Sequence, residues 1–421
     1  MRHMAAMNVQ MSRLAANQRS PKLGFAAILA WIFGKIGPFF LDVIDARLTT
    51  GCIHAILPDG SAIELGGSQF GERGDGWQCV VILHEWRGLW RLITGGSVGW
   101  YQAWEAGEWE SPDPVALFAL VAGNAVNLRG AARAHGPWRW AAQALHWARR
   151  NNRQGSLRNI HAHYDLGNEF YAAWLDPTMS YSSARFDGLD LGLQAAQRRK
   201  IAAIADRVTG ARSVLEIGCG WGALAAELAR RGADVTAISL SDAQLDWGRQ
   251  QHGAAVDFRK QDYREVDGPF DAIVSVEMVE AVGQAYWPDY FECLARCLSS
   301  GGRAALQLIS IRDELFEAYA RSADFIQTYI FPGGMLVRET AFRQLATVHG
   351  LRWQDEHRFG LDYAETLRKW RMRFDAAAAD GRLPAGFDAR FIRLWRFYLM
   401  YCEGGFRGGA IDVVQVTLVK G

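Results

Sequence analysis

Val214-Leu-Glu-Ile-Gly-Cys-Gly-Trp-Gly222 is the stretch on which the fold turns. The apolar run from Ser213 to Ile217 reads as a buried strand. Residues 223–231, Ala-Leu-Ala-Ala-Glu-Leu-Ala-Arg-Arg, read as a helix. Between them Gly218, Gly220 and Gly222 make a turn whose backbone can approach a ligand closely. The spacing is G-x-G-x-G. It differs from the G-x-G-x-x-G of dinucleotide binders, and no Lys-Ser/Thr follows as in a phosphate loop. A shortened turn with an acid, Glu216, just before it suits S-adenosylmethionine (SAM), which has no pyrophosphate to cradle. An ordinary glycine-rich turn of an α/β protein reads the same way.

Working outward, strand candidates recur with helices between them at Ser213–Ile217, Asp234–Leu240, Val256–Lys260, Phe270–Val276 and Arg303–Ser310. That alternation predicts an α/β fold with a doubly wound, mostly parallel sheet. Residues 311–346 and 361–408 are helical and aromatic, inserted where an apolar substrate would be covered. The stretch from Asp412 to Val419 is a late strand.

Upstream lies a smaller α+β region. Gly51 to Leu57, the Pro58-Asp-Gly60 turn and Ser61 to Leu65 form a hairpin signal. Val80–Leu83 and Leu89–Ile93 are expected to continue its sheet, and Pro114 to Ala148 turns helical. The first 20 residues are polar and read as frayed. The expected domains are 21–150, N-terminal and lipid-associated, and 156–421, the catalytic domain.

The chain has 421 residues and is half hydrophobic and 22% charged, which places it with globular rather than disordered proteins. Its net charge of +1 carries no strong electrostatic message by itself. Its six scattered cysteines suit a reducing cytosol, and Cys293 and Cys297, one helical turn apart without a nearby His, do not make a metal site. The longest apolar stretch, Leu23 to Leu41, is broken by Lys35, Gly37 and Pro38, so neither a spanning helix nor a signal peptide is expected.

Charge is unevenly placed. No acid occurs between Asp113 and Asp165, while Arg129, Arg133, Arg139, Arg149, Arg150, Arg153 and Arg158 do, interleaved with Trp138, Trp140 and Trp147. A basic, tryptophan-rich segment attracts an anionic phospholipid surface at about 1 kcal/mol per basic residue. A nucleic-acid arm or a solvated linker are the duller readings. With arginine alone and tryptophan as the aromatic, membrane is favoured over nucleic acid.

Ligand-facing residues are expected at the strand ends. The second strand ends near Ser239 and Gln244, where many adenosine-binding folds carry an acid for the ribose. The third ends at Gln261 and Asp262, facing the adenine amine. The fourth ends in Val274-Ser-Val-Glu-Met-Val-Glu-Ala-Val-Gly283, which places Glu277 and Glu280 where open α/β sheets do their chemistry. One of the two is expected to be functional, with Glu280 the better choice.

Six further stretches carry a resemblance: His161 to Tyr171, Leu175 to Ser182, Gln261-Asp-Tyr-Arg264, Tyr329-Ile-Phe-Pro-Gly-Gly334, Phe359-Gly-Leu-Asp-Tyr363 and Trp395 to Phe406. With the glycine turn they make the chain, from about Ser156 onward, resemble the cyclopropane-fatty-acyl-phospholipid synthase family of SAM-dependent methyltransferases. To the parallel sheet the resemblance adds the class I SAM methyltransferase type. The hairpin region is similar to the N-terminal domain of its larger members. The resemblance implies transfer of a one-carbon unit from SAM to a cis double bond of a phospholipid acyl chain. The new methyl then loses a proton and a cyclopropane ring closes. It implies Tyr164 near the sulfonium and Tyr181 and Ser182 at the methionine end. Gly218 and Gly220 would lie along the SAM backbone, Ser239 and Gln244 at the ribose, and Gln261 and Asp262 at the adenine. It also implies bicarbonate as base, held by Glu280, the Ile309 backbone, Tyr363 and two positions filled here by Ser183 and Gln307.

Those two depart from the family's Cys and His, and Ala281 stands where a His usually follows the glutamate. Neither Ser nor Gln can carry positive charge. Bicarbonate should therefore bind less well, or the product should change to a methyl-branched alkene. A SAM methyltransferase of a small amphipathic substrate and an inactive lipid-binding module are the competing readings. The expected setting is cytoplasmic, peripheral on the inner face of the membrane, with a homodimer presenting two faces to it.

Overall fold

The computed structural model describes residues 37–66, 76–128 and 166–421. The basic Trp-rich segment, Tyr164 and the first 20 residues lie outside them. The chain divides into two compact units, one holding the described residues up to Leu120 with Asn127 and Leu128, the other Val121–Val126 and the described residues from 166 on.

In the first unit a four-stranded sheet has the order β2-β1-β3-β4, from β1 (Cys52–Ile56), β2 (Ala62–Leu65), β3 (Gln78–Leu83) and β4 (Trp109–Glu110). The hairpin expected at Pro58-Asp-Gly60 is present, with Ile56 opposite Ala62. Leu89–Ile93 is not a strand. It lies in helix α1 (Trp86–Glu105), because its apolar residues continue at helical spacing through Trp86, Leu89, Trp90 and Ile93. The place beside β3 is taken by β4. The Glu108 carboxylate, 1% exposed, is met by Arg87 Nε at 2.7 Å and Arg91 Nε at 3.0 Å, which pins α1 to the sheet. Helix α2 (Pro114–Gly123) follows.

The second unit is built on one sheet, ordered β11-β12-β9-β8-β5-β6-β7. Its strands are β5 (Ser213–Ile217), β6 (Asp234–Ser239), β7 (Val256–Lys260), β8 (Phe270–Val276), β9 (Leu298–Ile311), β11 (Leu351–Arg358) and β12 (Ile411–Lys420). A short β10 (Val337–Arg338) pairs with the end of β9. Strands β5 to β9 run parallel, and β12 reverses against β9 and β11. Five expected strands appear within a few residues of their expected bounds. The polar strand Leu351-Arg-Trp-Gln-Asp-Glu-His-Arg358 was not expected, since as an edge it exposes side chains on both faces and lacks apolar alternation.

Alternation along β5 sends Val214 to one core and Leu215 and Ile217 to the other. Helices α4 (Leu193–Arg207), α5 (Ala223–Arg230) and α6 (Asp242–His252) accompany the first face; α7 (Trp287–Cys297), α8 (Asp313–Ala320) and α10 (Glu339–Val348) the second. The short α3 (Asn168–Ala172) and α9 (Phe325–Tyr329) join the pair α11 (Gly360–Ala379) and α12 (Ala389–Arg407). These aromatic helices pack on one another: Phe170 of α3 lies within 5.1 to 6.2 Å of Trp174, Phe374, Phe391 and Trp395, centroid to centroid. Arg371 of α11, half-buried, pairs with the buried Glu403 of α12 at 2.9 Å.

The chain goes from β5 to β6 and β7 on one side, then returns to β8 and β9 on the other. The switch point therefore lies between β5 and β8, where ligands bind beyond the carboxyl ends of such strands.

Candidate active site

At that switch point a cavity is lined by Tyr181, Ser182, Glu216, Gly218, Gly220, Ser239, Gln244, Gln261 and Asp262. Every described residue expected to touch the cofactor is thus in one wall, joined by Lys200 and Glu277. Gly218 takes φ +80, and a Cβ there would meet Met278 Cγ at 2.5 Å. Gly220, at φ +52, has open space where a Cβ would be, so the turn offers bare backbone to a ligand.

The wall residues are held by their neighbours. Ser239 donates its hydroxyl to Gln244 Oε1 at 3.1 Å, and Ser241 caps α6 by accepting from Gln244 N. Asp262 is engaged by Arg264 through Nε and Nη2 at 2.9 and 2.6 Å, so it reaches a ligand only with its remaining lone pairs. Tyr181 Oη and Tyr398 Oη are 2.8 Å apart. Ser182 accepts from Lys200 Nζ at 2.8 Å. The cavity suits a cationic nucleoside: its turn is open, and Glu216 keeps a buried oxygen, Oε2, with no partner.

Lys200 was missed in the sequence. It is buried on the inner face of α4 beside Ile201, one cation among apolar neighbours. That placement, a lysine in register with Leu193, Ala196 and Ile204, is the signal that could have found it.

The five residues expected to hold the base divide between two acids. Glu280 Oε1 accepts from the Ile309 backbone N–H at 2.5 Å, so two of the groups expected to hold bicarbonate bond to each other. Ser183, Gln307 and Tyr363 gather instead on Glu277. Its Oε1 accepts from Ser183 N at 2.9 Å and Gln307 Nε2 at 2.7 Å, and its Oε2 from Tyr363 Oη at 2.7 Å. Of the two acids Glu277 lines the cavity and Glu280 does not. The Ser183 loop and α11 are bound together, since Asp362 accepts from Phe186 N and Asp187 N at 2.7 and 3.0 Å.

Glu277 has φ +50, in the left-handed region that a residue with a Cβ enters at a cost of about 1–2 kcal/mol. Glu277 is thus a half-buried acid with both oxygens hydrogen-bonded and a strained backbone, and strain of this kind clusters at functional sites.

Electrostatics distinguish the acids. Burial pushes Glu216 up to about 8, with Lys200 opposing. Burial and the charge of Glu277 push Glu280 up to about 8. Burial raises Glu277 too, but three donors and Lys200 pull it back. Lys200 itself is pushed down to about 8 by burial, against the attraction of Glu277, Asp176 and Glu216. One ammonium cannot balance three buried carboxylates. Glu277, with three donors on its oxygens, is the one whose charged form the protein solvates.

Comparison with known proteins follows the same lines. Residues 151–416 match the family described as mycolic acid cyclopropane synthetase. The chain is 40% identical, over 78% of its length and 80% of the relative's, to tuberculostearic acid methyltransferase UfaA1 of Mycobacterium tuberculosis (strain ATCC 25618 / H37Rv). It is 35% identical to the cyclopropane-fatty-acyl-phospholipid synthase of Escherichia coli (strain K12), over 62% of this chain and 67% of that one. The crystal structure of mycolic acid cyclopropane synthase CmaA1 complexed with SAH and CTAB superposes with a TM-score of 0.59. It is 30% identical and covers 63% of this chain and 98% of that one.

Proposed function

Because the chain belongs to the mycolic acid cyclopropane synthetase family and is a SAM-dependent methyltransferase, we propose that it alkylates the cis double bond of phospholipid-linked unsaturated acyl chains. We further propose that Glu277 takes the proton this releases. SAM supplies an electrophilic methyl on sulfur. The alkene π pair forms the new carbon–carbon bond, the sulfur leaves as a thioether, and the chain is left with a carbocation.

The observation that carries the reading is the set of donors on Glu277. Ser183, Gln307 and Tyr363, three of the positions expected to hold a bicarbonate, are spent on a carboxylate of the chain itself. A carboxylate at the cavity wall can do what bicarbonate would, as a general base fixed within reach of the cation. Glu280 then steadies Ile309 and the strand end behind it. Tyr181, Ser182, Glu216, Gly218, Gly220, Ser239, Gln244, Gln261 and Asp262 are proposed to hold SAM, with Tyr164 near the sulfonium as the resemblance implies.

The phospholipid substrate is supported by the name of the Escherichia coli relative. Docking on an anionic membrane surface is supported by the basic segment 129–158; the cytoplasmic face and a homodimer are proposed with it. No helix among the described residues is long and apolar enough to cross a membrane.

Two products are open to one cation. Proton loss from the new methyl with closure gives a ring; without closure, proton loss from the chain gives a methyl-branched alkene and proton loss from the new methyl a methylene-branched chain. Similarity over 78% of this chain to a tuberculostearic acid methyltransferase, against 62% for the phospholipid cyclopropane synthase, favours the branched product.

The test expresses the chain in a bacterium lacking ring-forming activity and supplies methionine with a trideuterated methyl. Lipids are then analysed by mass spectrometry before and after ozone. An ozone-cleaved product one carbon heavier supports the branched reading. An ozone-resistant product with two deuteriums makes it a cyclopropane synthase. Absence of labelled acyl chains overturns the lipid substrate, and full turnover by Glu277→Gln overturns the base.

A further inference from the structure

Gln415 sits on β12 in a run that is otherwise apolar or β-branched, Val413-Val-Gln-Val-Thr-Leu418, and is fully buried. Its register partner across the antiparallel pair with β9 is Gln307. Side chains at directly opposed positions leave the sheet on the same face, close enough to bond. Gln415 Nε2 donates to Gln307 Oε1 at 3.0 Å, and Gln307 Nε2 donates to Glu277 Oε1 at 2.7 Å. The far end of the chain, Gln415 Oε1, has no hydrogen-bond partner.

We infer that Gln415 is a positioning residue for Glu277, acting through Gln307 by setting which end of the Gln307 amide faces the carboxylate. The inference rests on Glu277 being the group that takes the proton.

The direction of the chain follows from donor and acceptor counts. An ionised carboxylate only accepts, so Gln307 must turn its NH2 to Glu277 and its oxygen away. That oxygen is buried and needs a donor. Gln415 supplies one, and its own oxygen is left orphaned. An orphaned buried carbonyl costs about 1–3 kcal/mol, and a valine, like those at 413, 414 and 416, would avoid the cost at this place. The sheet carries an amide whose return is the orientation of its neighbour. An amide rotates by half a turn with little change of shape, so packing alone does not distinguish the two orientations of Gln307. The wrong one would set an oxygen against the carboxylate.

The titratable groups facing Glu277 are Lys200 on α4, Tyr363 on α11 and Glu280 beyond the end of β8. The hydrogen bond of Gln415 goes to Gln307, and His357, its register partner on β11, lies 3.4 Å from Asp187 instead, so the bonded route from Gln415 to Glu277 runs through Gln307.

The test is the pH dependence of kcat/KM on one fixed vesicle substrate, for Gln415→Met and Gln415→Asn. Methionine keeps the volume and loses the donor; asparagine keeps the donor and loses the reach, and is read where the methionine variant does not fold. Both are expected to move the acidic limb upward by about one pH unit, the worth of one bond to a charged group. SAM affinity should stay within about twofold. Gln307→Met should give the same displacement and the double variant no more, because the two act in series. A limb that stays in place in folded, SAM-binding variants overturns the inference, even if the rate falls. Turnover surviving in Glu277→Gln would instead sink the base assignment, so the two failures are told apart.

Discussion

Tyr363 Oη donates to Glu277 Oε2 across 2.7 Å, joining the first turn of α11 to the residue that follows β8. The bond reaches over 86 residues of sequence. It makes the orientation of one half-buried carboxylate of the cavity wall depend on the first turn of α11. Tyr398 of α12, 2.8 Å from Tyr181, and Asp362 of α11, which accepts from Phe186 N and Asp187 N, tie the same helix pair to other parts of the site.

Lys200 is the cation of this wall that faces Glu277 and Glu216, while Arg264 is engaged by Asp262. Replacing it with methionine removes the charge facing Glu277 and Glu216 and the donor to Ser182. Lys200→Met is expected to lower kcat/KM at pH 7 about tenfold and to move its acidic limb upward by about one unit. A pH–rate profile checks both; an unchanged limb would make Lys200 a packing residue.

Glu280 should weaken the fold at neutral pH. Its value of about 8 in the folded chain lies above the ordinary 4.5, so the folded state holds the proton more tightly. The stabilisation this provides is complete below pH 4.5 and is lost as pH rises toward 8, at up to about 1.4 kcal/mol per unit. Glutamine is neutral throughout. Glu280→Gln should therefore match the parent in Tm near pH 5 and exceed it increasingly up to pH 8. Thermal melts across that range decide it, and a constant difference would mean that Glu280 does not titrate there.

Phe170 is fully buried where α3 meets α11 and α12. Phe170→Ala should cost about 3–5 kcal/mol through the cavity it leaves. Urea unfolding measures this directly. A loss below about 1 kcal/mol would show that the helix pair closes without it.

Arg149, Arg150 and Arg153 are proposed to face anionic lipid. Changing all three to Gln should weaken binding to phosphatidylglycerol vesicles by about a hundredfold at low salt, at about 1 kcal/mol per charge. It should also flatten the fall in binding between low and physiological salt. Vesicle sedimentation reads both, and an unaltered salt response would leave the segment a linker.

Much of this protein was set by its sequence alone. Apolar runs of strand length, separated by helical periods, specify the parallel sheet, because burial on both faces leaves a pattern in the residues themselves. The glycine turn after Ile217 and the strand-end positions of Ser239, Gln244, Gln261, Asp262, Glu277 and Glu280 follow from that pattern and from where such sheets bind ligands. The period of α1 was legible too, yet Leu89–Ile93 alone is short enough to read as a strand; the helix is seen only when Trp86 and the residues after Ile93 are counted with it.

What only the tertiary structure decided is which acid the site is built around. Ser183, Gln307 and Tyr363 come to Glu277 from 94, 30 and 86 residues away. A side-chain hydrogen bond across such separations leaves no periodic trace. The positive φ at Glu277, which turns its carboxylate to those donors, is likewise imposed by packing against a local preference. Lys200 and Gln415 escaped notice for the same reason: each is one polar residue in an apolar row, and its meaning lies in the residue it faces across the fold.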